Sequence, residues 1–224
     1  MKRKMSVEKR RELERIVGAK LENNYGPFTR TTKGGRGRLW LSYSLPATSC
    51  GIGSKLRHIK GSVCSLCYAR KGTYLYPMPT AAMRRRLLSL SHPLWTRSMI
   101  TLLHGKEFFR WHDSGDIQSL QHLQNIVEVA RSLPDTKFWL PTKEGGILSR
   151  FLRNSGVPKN LAIRLSATMI DAKPPKWYKL TSTVHTTGHG FGFECPCLAE
   201  EEASCGDCRV CWDILVPNIS YPLH

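Results

Sequence analysis

The spacing of hydrophobic and polar positions changes along the chain and divides it into predicted elements. Residues 5–17 repeat apolar side chains at helical spacing between basic ones, which predicts an amphipathic helix. From Leu39 to Leu45 every second residue is apolar, and Pro46 follows. A period of two predicts a half-buried β-strand in this stretch.

Helical and strand-like patterns alternate over the rest of the chain. Residues 80–103 are predicted to be helical with a break at His92-Pro93, since proline cannot continue a helix, and apolar stripes predict helices at 117–130 and 147–153. The predicted strands are 108–111, 137–140, 161–165 and, as the last, 183–185. Strand-helix repetition predicts an α/β fold, either a partial (β/α) barrel or an open, mostly parallel sheet, with a cysteine-rich C-terminal extension.

Length and composition suit one main domain. The chain has 224 residues and 41% hydrophobic content, enough for one core. We expect a basic N-terminal helix and arm (1–36), an α/β partial-barrel domain with the first cysteine site (37–190) and a cysteine-rich cluster extension (191–224). No run approaches the roughly 20 apolar residues that span a bilayer, and the first residues lead into charge rather than into a signal sequence. We therefore expect a cytoplasmic protein without a membrane segment.

The charge of the chain suggests a class of partner. It has 34 Lys and Arg against 17 Asp and Glu, a formal charge of +17, and 12 of the basic residues lie within residues 1–40. Such a field attracts polyanions, so nucleic acid or another polyanion is the expected partner of this basic N-terminal region and of Arg84 to Arg86. A basic face that is merely solvated is the alternative, and charge does not distinguish DNA from RNA.

Eight cysteines form two groups with 127 cysteine-free residues between them. The front cysteine group is Cys50, Cys64 and Cys67; the C-terminal cysteine group is Cys195, Cys197, Cys205, Cys208 and Cys211. Two-residue spacers let thiolates converge on one metal centre, whereas nothing indicates a secreted, disulfide-bonded protein. The Cys205-x-x-Cys208-x-x-Cys211 run is similar to that of bacterial-type ferredoxins, whose fourth ligand comes from elsewhere in the chain. We predict two iron-sulfur clusters of the [4Fe-4S] type.

Alternatives to this ligation remain open. Four thiolates also suit zinc, and the front group is also compatible with buried, unligated cysteines. The ligands divide four and four if Cys195 or Cys197 joins the front group. If neither does, they divide three and four with one thiol to spare.

Polar side chains follow the predicted strands at their carboxyl ends. In parallel α/β folds these ends form the ligand-binding rim, so we expect such residues to meet the front cysteine group at one mouth. The candidate catalytic residues are His112, Asp113, Ser114, Asp116, Lys143 and Glu144. The alternatives are helix capping for the aspartates and the serine, a core position for the histidine, and a solvated pair for Lys143-Glu144.

One resemblance concerns the front group. Cys64-x-x-Cys67-Tyr68-Ala69 looks like the latter part of the cysteine motif of radical S-adenosylmethionine enzymes, and Ser114-Gly115-Asp116 stands roughly where their amino-group-binding strand end lies. The resemblance implies a three-cysteine cluster whose open iron binds S-adenosylmethionine, with Ser114, Gly115 and Asp116 as cofactor-binding residues. The sequence departs from that pattern because thirteen residues separate Cys50 from Cys64, where those enzymes usually have three.

A second resemblance covers most of the chain. The segments CSLCYA (64–69), RWHDSGD (110–116), FWLPT (138–142) and CGDCRVCW (205–212) resemble a mycobacteriophage gene-product-eighty-eight-like family. The resemblance implies a phage protein in the cytoplasm of an infected host cell and no established reaction. Two functions stay open: an enzyme acting on a small molecule or nucleic acid at an incompletely ligated front cluster, or a non-catalytic nucleic-acid- or partner-binding protein with structural iron-sulfur or zinc sites.

Overall fold

The computed structural model describes residues 5–19, 41–186, 190–196, 205 and 208–223, and the backbone of 28–30 and 36–38. The helices are α1 Val7–Ile16, α2 Gly51–Leu56, α3 Pro77–Ser89, α4 Trp95–Leu103, α5 Leu120–Ser132 and α6 Gly145–Leu152. The strands are β1 Phe28–Arg30, β2 Arg36–Arg38, β3 Leu41–Tyr43, β4 Phe108–Trp111, β5 Lys137–Thr142, β6 Leu161–Ser166, β7 Thr181–His185, β8 Phe193–Glu194 and β9 Asn218–Pro222. Among these residues no helix is both long and apolar enough to cross a membrane.

Seven parallel strands form one open sheet in the order β3-β4-β5-β6-β7-β9-β8, and β1 pairs with β2 as a separate antiparallel hairpin. The predicted α/β class with an open, mostly parallel sheet is therefore confirmed. The break between α3 and α4 also lies where proline predicts it, and α5 begins at Leu120 because the Ser119 hydroxyl accepts a hydrogen bond from the His122 amide. The start of the predicted strand at Leu39 lies outside the described residues.

The prediction that 183–185 is the last strand is wrong, because β9 lies beside β7 and β8 lies beyond it. Strand β9 alternates polar and apolar residues only over Asn218 to Tyr221 and ends at Pro222, which is too short a pattern to predict a strand by itself. It pairs with β7 in parallel over five residues, and polar side chains add bonds between the two strands. Asn218 Nδ2 donates to Thr183 Oγ1 at 3.0 Å, and Ser220 Oγ lies 2.7 Å from His185 Nδ1. Both added strands belong to the C-terminal extension, which therefore contributes to the sheet.

The two faces of the sheet carry different chemistry. Phe109, Phe138 and Ile163 belong to the main hydrophobic core, which packs the sheet against helices α4, α5 and α6. Because successive side chains along a strand point to opposite faces, Arg110, Trp139 and Arg164 lie on the other face of the sheet. Trp139 there packs against Trp212 of the C-terminal extension, with the ring centroids 5.2 Å apart.

Arg164 attaches the C-terminal extension to the sheet. Its guanidinium is fully buried and donates to four backbone carbonyls, those of Val210 (3.1 Å), Cys211 (3.0 Å), Asp213 (2.6 Å) and Val216 (2.9 Å). The Trp212 indole adds a bond to the carbonyl of Phe109 at 3.0 Å. The cysteine-bearing turn at 210–212 is therefore fixed against the sheet.

Candidate functional site

The front cysteine group gathers around Gly53. Cys50 is the N-cap residue of α2, Cys64 lies in the 3-10 turn Val63–Leu66, and Cys67 follows that turn. A Cβ atom added to Gly53 would stand 3.5 Å from the Cys64 Sγ and 3.6 Å from the Cys50 Sγ. The glycine therefore leaves the space between these two sulfurs free of a side chain.

Electrostatics indicate that all three thiols share this region. Burial, together with the charges of Asp116, Cys67 and Cys64, raises the pKa of Cys50 to about 12. Burial also raises the pKa of Cys64, whereas the positive charge of Lys143 lowers it. Three thiolates here repel one another, and a bound cation offsets that repulsion.

Glu144 fixes the cysteine loop to the end of β5. Its Oε1 accepts a hydrogen bond from the Ile52 amide at 2.7 Å, in the first turn of α2, where a negative charge also suits the helix dipole. A Cβ atom on Gly51 would stand 2.9 Å from the same oxygen. Glu144 is 7% exposed, so the solvated-pair alternative does not hold for it. Its carboxylate instead positions the residues next to Cys50.

Asp116 joins the ends of β4 and β5. Its Oδ1 accepts from the Ile117 amide at 2.7 Å and from the Thr142 hydroxyl at 2.6 Å, and its Oδ2 accepts from the Lys143 amide at 2.8 Å. Burial raises the pKa of Asp116 to about 6, although these three hydrogen bonds lower it. The helix-cap alternative does not apply to α5, whose N-cap residue is Ser119.

Asp113 connects β4 to the residues that follow Cys67. Its carboxylate accepts hydrogen bonds from the hydroxyls of Ser44 and Tyr74, the latter at 3.1 Å, and its carbonyl accepts from the Tyr68 hydroxyl. The Tyr68 and Tyr74 rings also contact each other, with centroids 5.6 Å apart. Tyr68 thus ties the backbone directly after the last front cysteine to the end of β4.

Ser114 and Gly115 are engaged by the residues that follow β3. The Ser114 hydroxyl donates to the Leu45 carbonyl at 2.8 Å, and the Leu45 amide donates to the Ser114 carbonyl at 2.9 Å. Gly115 has a φ of 78°, and a Cβ atom there would stand 2.5 Å from the Leu45 Cβ, so glycine is required by conformation and by space. Cofactor binding by Ser114, Gly115 and Asp116 stays a prediction.

His112 points into the core. It is 2% exposed with a φ of 51°, and its ring lies 5.3 Å from that of His122 on α5. Neither ring nitrogen has a hydrogen-bond partner among the described atoms. Burial lowers the pKa of His112 well below its usual value, and the charge of His122 adds to this effect. His112 is therefore a core histidine, as the alternative to a catalytic role predicted, but its ring lacks the hydrogen bonds that a buried histidine usually makes.

Cys205 and Cys211 of the C-terminal cysteine group lie on the face of the sheet opposite the main core. The Cys211 Sγ is 3.3 Å from the Tyr221 hydroxyl, and Cys205 and Cys211 both pack on the Trp139 and Trp212 pair. Burial raises the pKa of Cys211, the hydrogen bond with Tyr221 lowers it and the charge of Cys195 raises it, which gives a pKa of about 11. Cys195 therefore lies with the C-terminal group, whereas Cys197 falls outside the described residues.

Within the described ranges, no three His, Cys, Asp or Glu side chains are arranged to hold a single metal ion. Tyr68, Tyr74 and Arg164 are not among the site residues that the sequence patterns predict. Tyr68 had a signal in its position directly after Cys67, and Arg164 had one as a charged residue inside the apolar strand LAIRL. Tyr74 had none, because only the fold brings its hydroxyl to Asp113.

Comparisons with known proteins give one result. No curated protein and no solved structure matches the chain. The model of one family, described as Gene product 88, matches residues 19–214. The match covers most of the chain and includes both cysteine groups. The chain therefore belongs to the gene product 88 family.

Proposed function

We propose that the front cysteine group binds a [4Fe-4S] cluster and that the protein is an enzyme acting on a small molecule or nucleic acid beside that cluster. The position of Cys195 carries this proposal. Because Cys195 lies with Cys211, the described cysteines divide into three at the front and four at the C-terminus. A four-iron cluster with three protein thiolates keeps one iron open for another ligand.

The donor set of the front group suits such a cluster. Iron-sulfur clusters take thiolate ligands, and a four-iron cluster spreads them farther apart than the thiolates around one zinc ion. Cys50 and Cys64 come from different turns on either side of Gly53, and neither sulfur lies deep in the apolar core. The second cluster of the proposal uses the C-terminal group, including Cys205, Cys208 and Cys211.

The surrounding residues have distinct tasks in this proposal. When bound, the cluster supplies an open coordination site and a one-electron couple. Lys143 brings a positive charge near Cys64 that suits a carboxylate, a group present in S-adenosylmethionine. Glu144 is a positioning residue for α2, and Tyr68 holds the backbone after Cys67 to the end of β4.

A non-catalytic protein with structural clusters is the second candidate. The observation that favours it is that Asp113, Ser114 and Asp116 are already hydrogen-bonded within the protein. Under this alternative their role is to hold strand ends together, and no ligand binds next to the front group.

Anaerobic reconstitution with iron and sulfide tests the cluster assignment. We expect brown protein with about four irons for each cluster. The triple variant Cys50→Ser, Cys64→Ser, Cys67→Ser should lose about half of the iron, and the matched variant Cys205→Ser, Cys208→Ser, Cys211→Ser should lose the other half. Zinc without iron or acid-labile sulfide in the purified protein would refute the assignment.

Paramagnetic resonance separates the two candidates. In the reduced C-terminal triple-serine variant, whose signal comes from the front cluster alone, S-adenosylmethionine should change the spectrum. An unchanged spectrum at saturating S-adenosylmethionine and with other small carboxylates favours the non-catalytic candidate. Wild-type protein treated identically is the control for damage by the substitutions.

A further inference from the structure

The front cysteine group lies in the most one-sidedly charged part of the chain. Residues 23–106 contain 14 Lys and Arg and no Asp or Glu. We call residues 47–76, from the turn before Cys50 to the start of α3, the cysteine lobe. Lys55, Arg57, Lys60 and Lys71 are exposed on it. The lobe therefore presents positive charge around the proposed cluster.

The loop between β6 and β7, residues 167–180, is joined to the cysteine lobe. The Val63 amide donates to the Thr168 carbonyl at 3.0 Å, and the Ile170 amide donates to the Gly61 carbonyl at 2.9 Å. Ser62 and Met169 form an antiparallel bridge between these two bonds. The loop and the lobe consequently form one continuous surface.

This loop carries an exposed tryptophan among lysines. Trp177 is 53% exposed, whereas the other tryptophans whose side chains are described, Trp95, Trp111, Trp139 and Trp212, are at most 6% exposed. Lys173, Lys176 and Lys179 are exposed in the same loop. The edge of the Trp177 ring comes within 3.3 Å of the position of a Cβ atom on Gly145, next to Glu144. Trp177 thus lies at the same strand-end rim as the residue that fixes α2.

Acidic side chains do little to offset this surface. Asp113, Asp116 and Glu144, at the nearby strand ends, are buried. Asp171 is exposed in the loop and keeps its negative charge, since hydrogen bonds from Thr186 lower its pKa, but it is one acid against the seven exposed lysines and arginines named above. The outer surface of the lobe and loop is therefore suited to a polyanion.

We infer that a single-stranded nucleic acid docks across the cysteine lobe and the β6–β7 loop, with phosphates on the exposed lysines and arginines and one unpaired base on Trp177. Phosphate contacts supply salt-dependent affinity, and an exposed indole stacks on any base that is not paired. A duplex satisfies the charge but offers no free base face to Trp177, so the tryptophan favours a single strand. The inference rests on the proposed function in one respect: it names the substrate class of the front site.

Binding of fluorescein-labelled oligonucleotides to reconstituted full-length protein, followed by anisotropy, tests the inference. A single-stranded DNA or RNA 20-mer should bind more tightly than the duplex of the same sequence. Trp177→Ala should weaken single-strand binding about tenfold, and Trp177→Phe should retain most of it, because stacking of a base on an aromatic ring accounts for the difference. Iron content, measured on each variant, should not change.

A matched pair of charge reversals identifies the surface. Lys173→Glu with Lys176→Glu should weaken binding and lower the slope of log affinity against log salt by about two. Arg153→Glu with Lys159→Glu makes the same change in charge at exposed positions between α6 and β6, and should have a much smaller effect. Equal effects of the two pairs, or binding unaffected by Trp177→Ala, would overturn the inference.

Two further outcomes would contradict the inference that a single-stranded nucleic acid binds this surface. Tighter binding to the duplex, or binding to anionic vesicles that needs Trp177 while no oligonucleotide binds, contradicts a single-stranded partner. Oligonucleotide binding by protein that holds zinc or no metal leaves the inference standing and removes the proposed cluster. If the cluster forms but the protein binds no oligonucleotide, the proposed cluster stands and the inference about nucleic acid is overturned.

Discussion

The two cysteine groups are held in place by opposite means. Carboxylates and hydroxyls position the front group: Glu144 accepts from the Ile52 amide, and Tyr68 donates to the Asp113 carbonyl. Cys205 and Cys211 of the C-terminal group pack on the Trp139 and Trp212 indoles, and the buried guanidinium of Arg164 donates to the Cys211 carbonyl. The front group is therefore set in a polar rim and the C-terminal group against an aromatic surface.

This difference suggests a division of roles. A polar rim offers charges and hydrogen-bonding groups that can meet a ligand, as sites at the ends of parallel strands do. An aromatic surface excludes water and adds packing energy. We therefore expect substitutions near the C-terminal group to alter stability most, and substitutions near the front group to alter ligand and metal binding most.

The largest expected effect comes from Arg164→Met. Methionine keeps much of the apolar volume but leaves four backbone carbonyls without their donors, so the free energy of unfolding should fall by about 3 kcal/mol or more. Urea denaturation of the metal-free protein measures this loss. Arg131→Met is the control, since Arg131 is an exposed arginine that donates to Ser155 and Gly156.

The comparison would fail if Arg164→Met unfolded at the same urea concentration as the wild-type protein. It would be sharpened if the variant, once reconstituted, lost iron from the C-terminal group and kept it at the front. A paramagnetic resonance signal from the front cluster that persists while total iron falls would show that only the C-terminal group has lost its iron.

Apolar periodicity made part of this fold predictable. Strands β4, β5 and β6 alternate or run apolar because they are buried against helices, and these elements are confirmed. Strand β9 escaped prediction because its alternating stretch, Asn218 to Tyr221, covers only four residues and is followed by Pro222.

The position of Asp116 and Glu144 at strand ends was predictable from the sequence, but their hydrogen bonds were not. The rule that polar residues gather at the carboxyl ends of parallel strands selected Asp116 and Glu144. Their partners could not be read from the sequence, since Glu144 and Ile52 are 92 positions apart and only the completed sheet brings them together. The residues around His112 in the sequence also gave no indication that its ring contacts His122 on α5.

A pH dependence is expected from Asp116 in the metal-free protein. Burial raises its pKa to about 6 in the folded state from 3.8, so the folded protein holds a proton more tightly than the unfolded chain. Its contribution to stability is complete below about pH 4 and is lost as the pH rises through about 6, by roughly 2 to 3 kcal/mol. Asp116→Asn should flatten this part of the profile of unfolding free energy against pH. A wild-type profile that rises steadily from pH 4 to 6 would contradict the assignment.

A smaller effect is expected at Glu144. Glu144→Ala removes the acceptor for the Ile52 amide and should cost about 1 to 2 kcal/mol, while Glu144→Gln keeps a neutral acceptor and should cost less. Hydrogen exchange of the α2 amides should accelerate in the alanine variant, with the amides of α5 as the internal reference. Unchanged exchange in α2 would show that the contact does not hold the cysteine loop.

The smallest change in stability, with a clear effect on the site, is expected from Gly53→Ala. Alanine favours a helix by up to about 1 kcal/mol over glycine, but its Cβ at position 53 would stand 3.0 Å from the Cys50 Cβ and 3.5 Å from the Cys64 Sγ. We expect a free energy of unfolding within about 0.5 kcal/mol of the wild-type value, since gain and crowding oppose each other. Gly146→Ala in α6 is the matched control, because nothing lies within 4 Å of its added Cβ. Front-site iron should fall in Gly53→Ala and stay complete in Gly146→Ala. Equal iron in both variants would mean that the space beside Gly53 is not where the front cysteine group binds its metal.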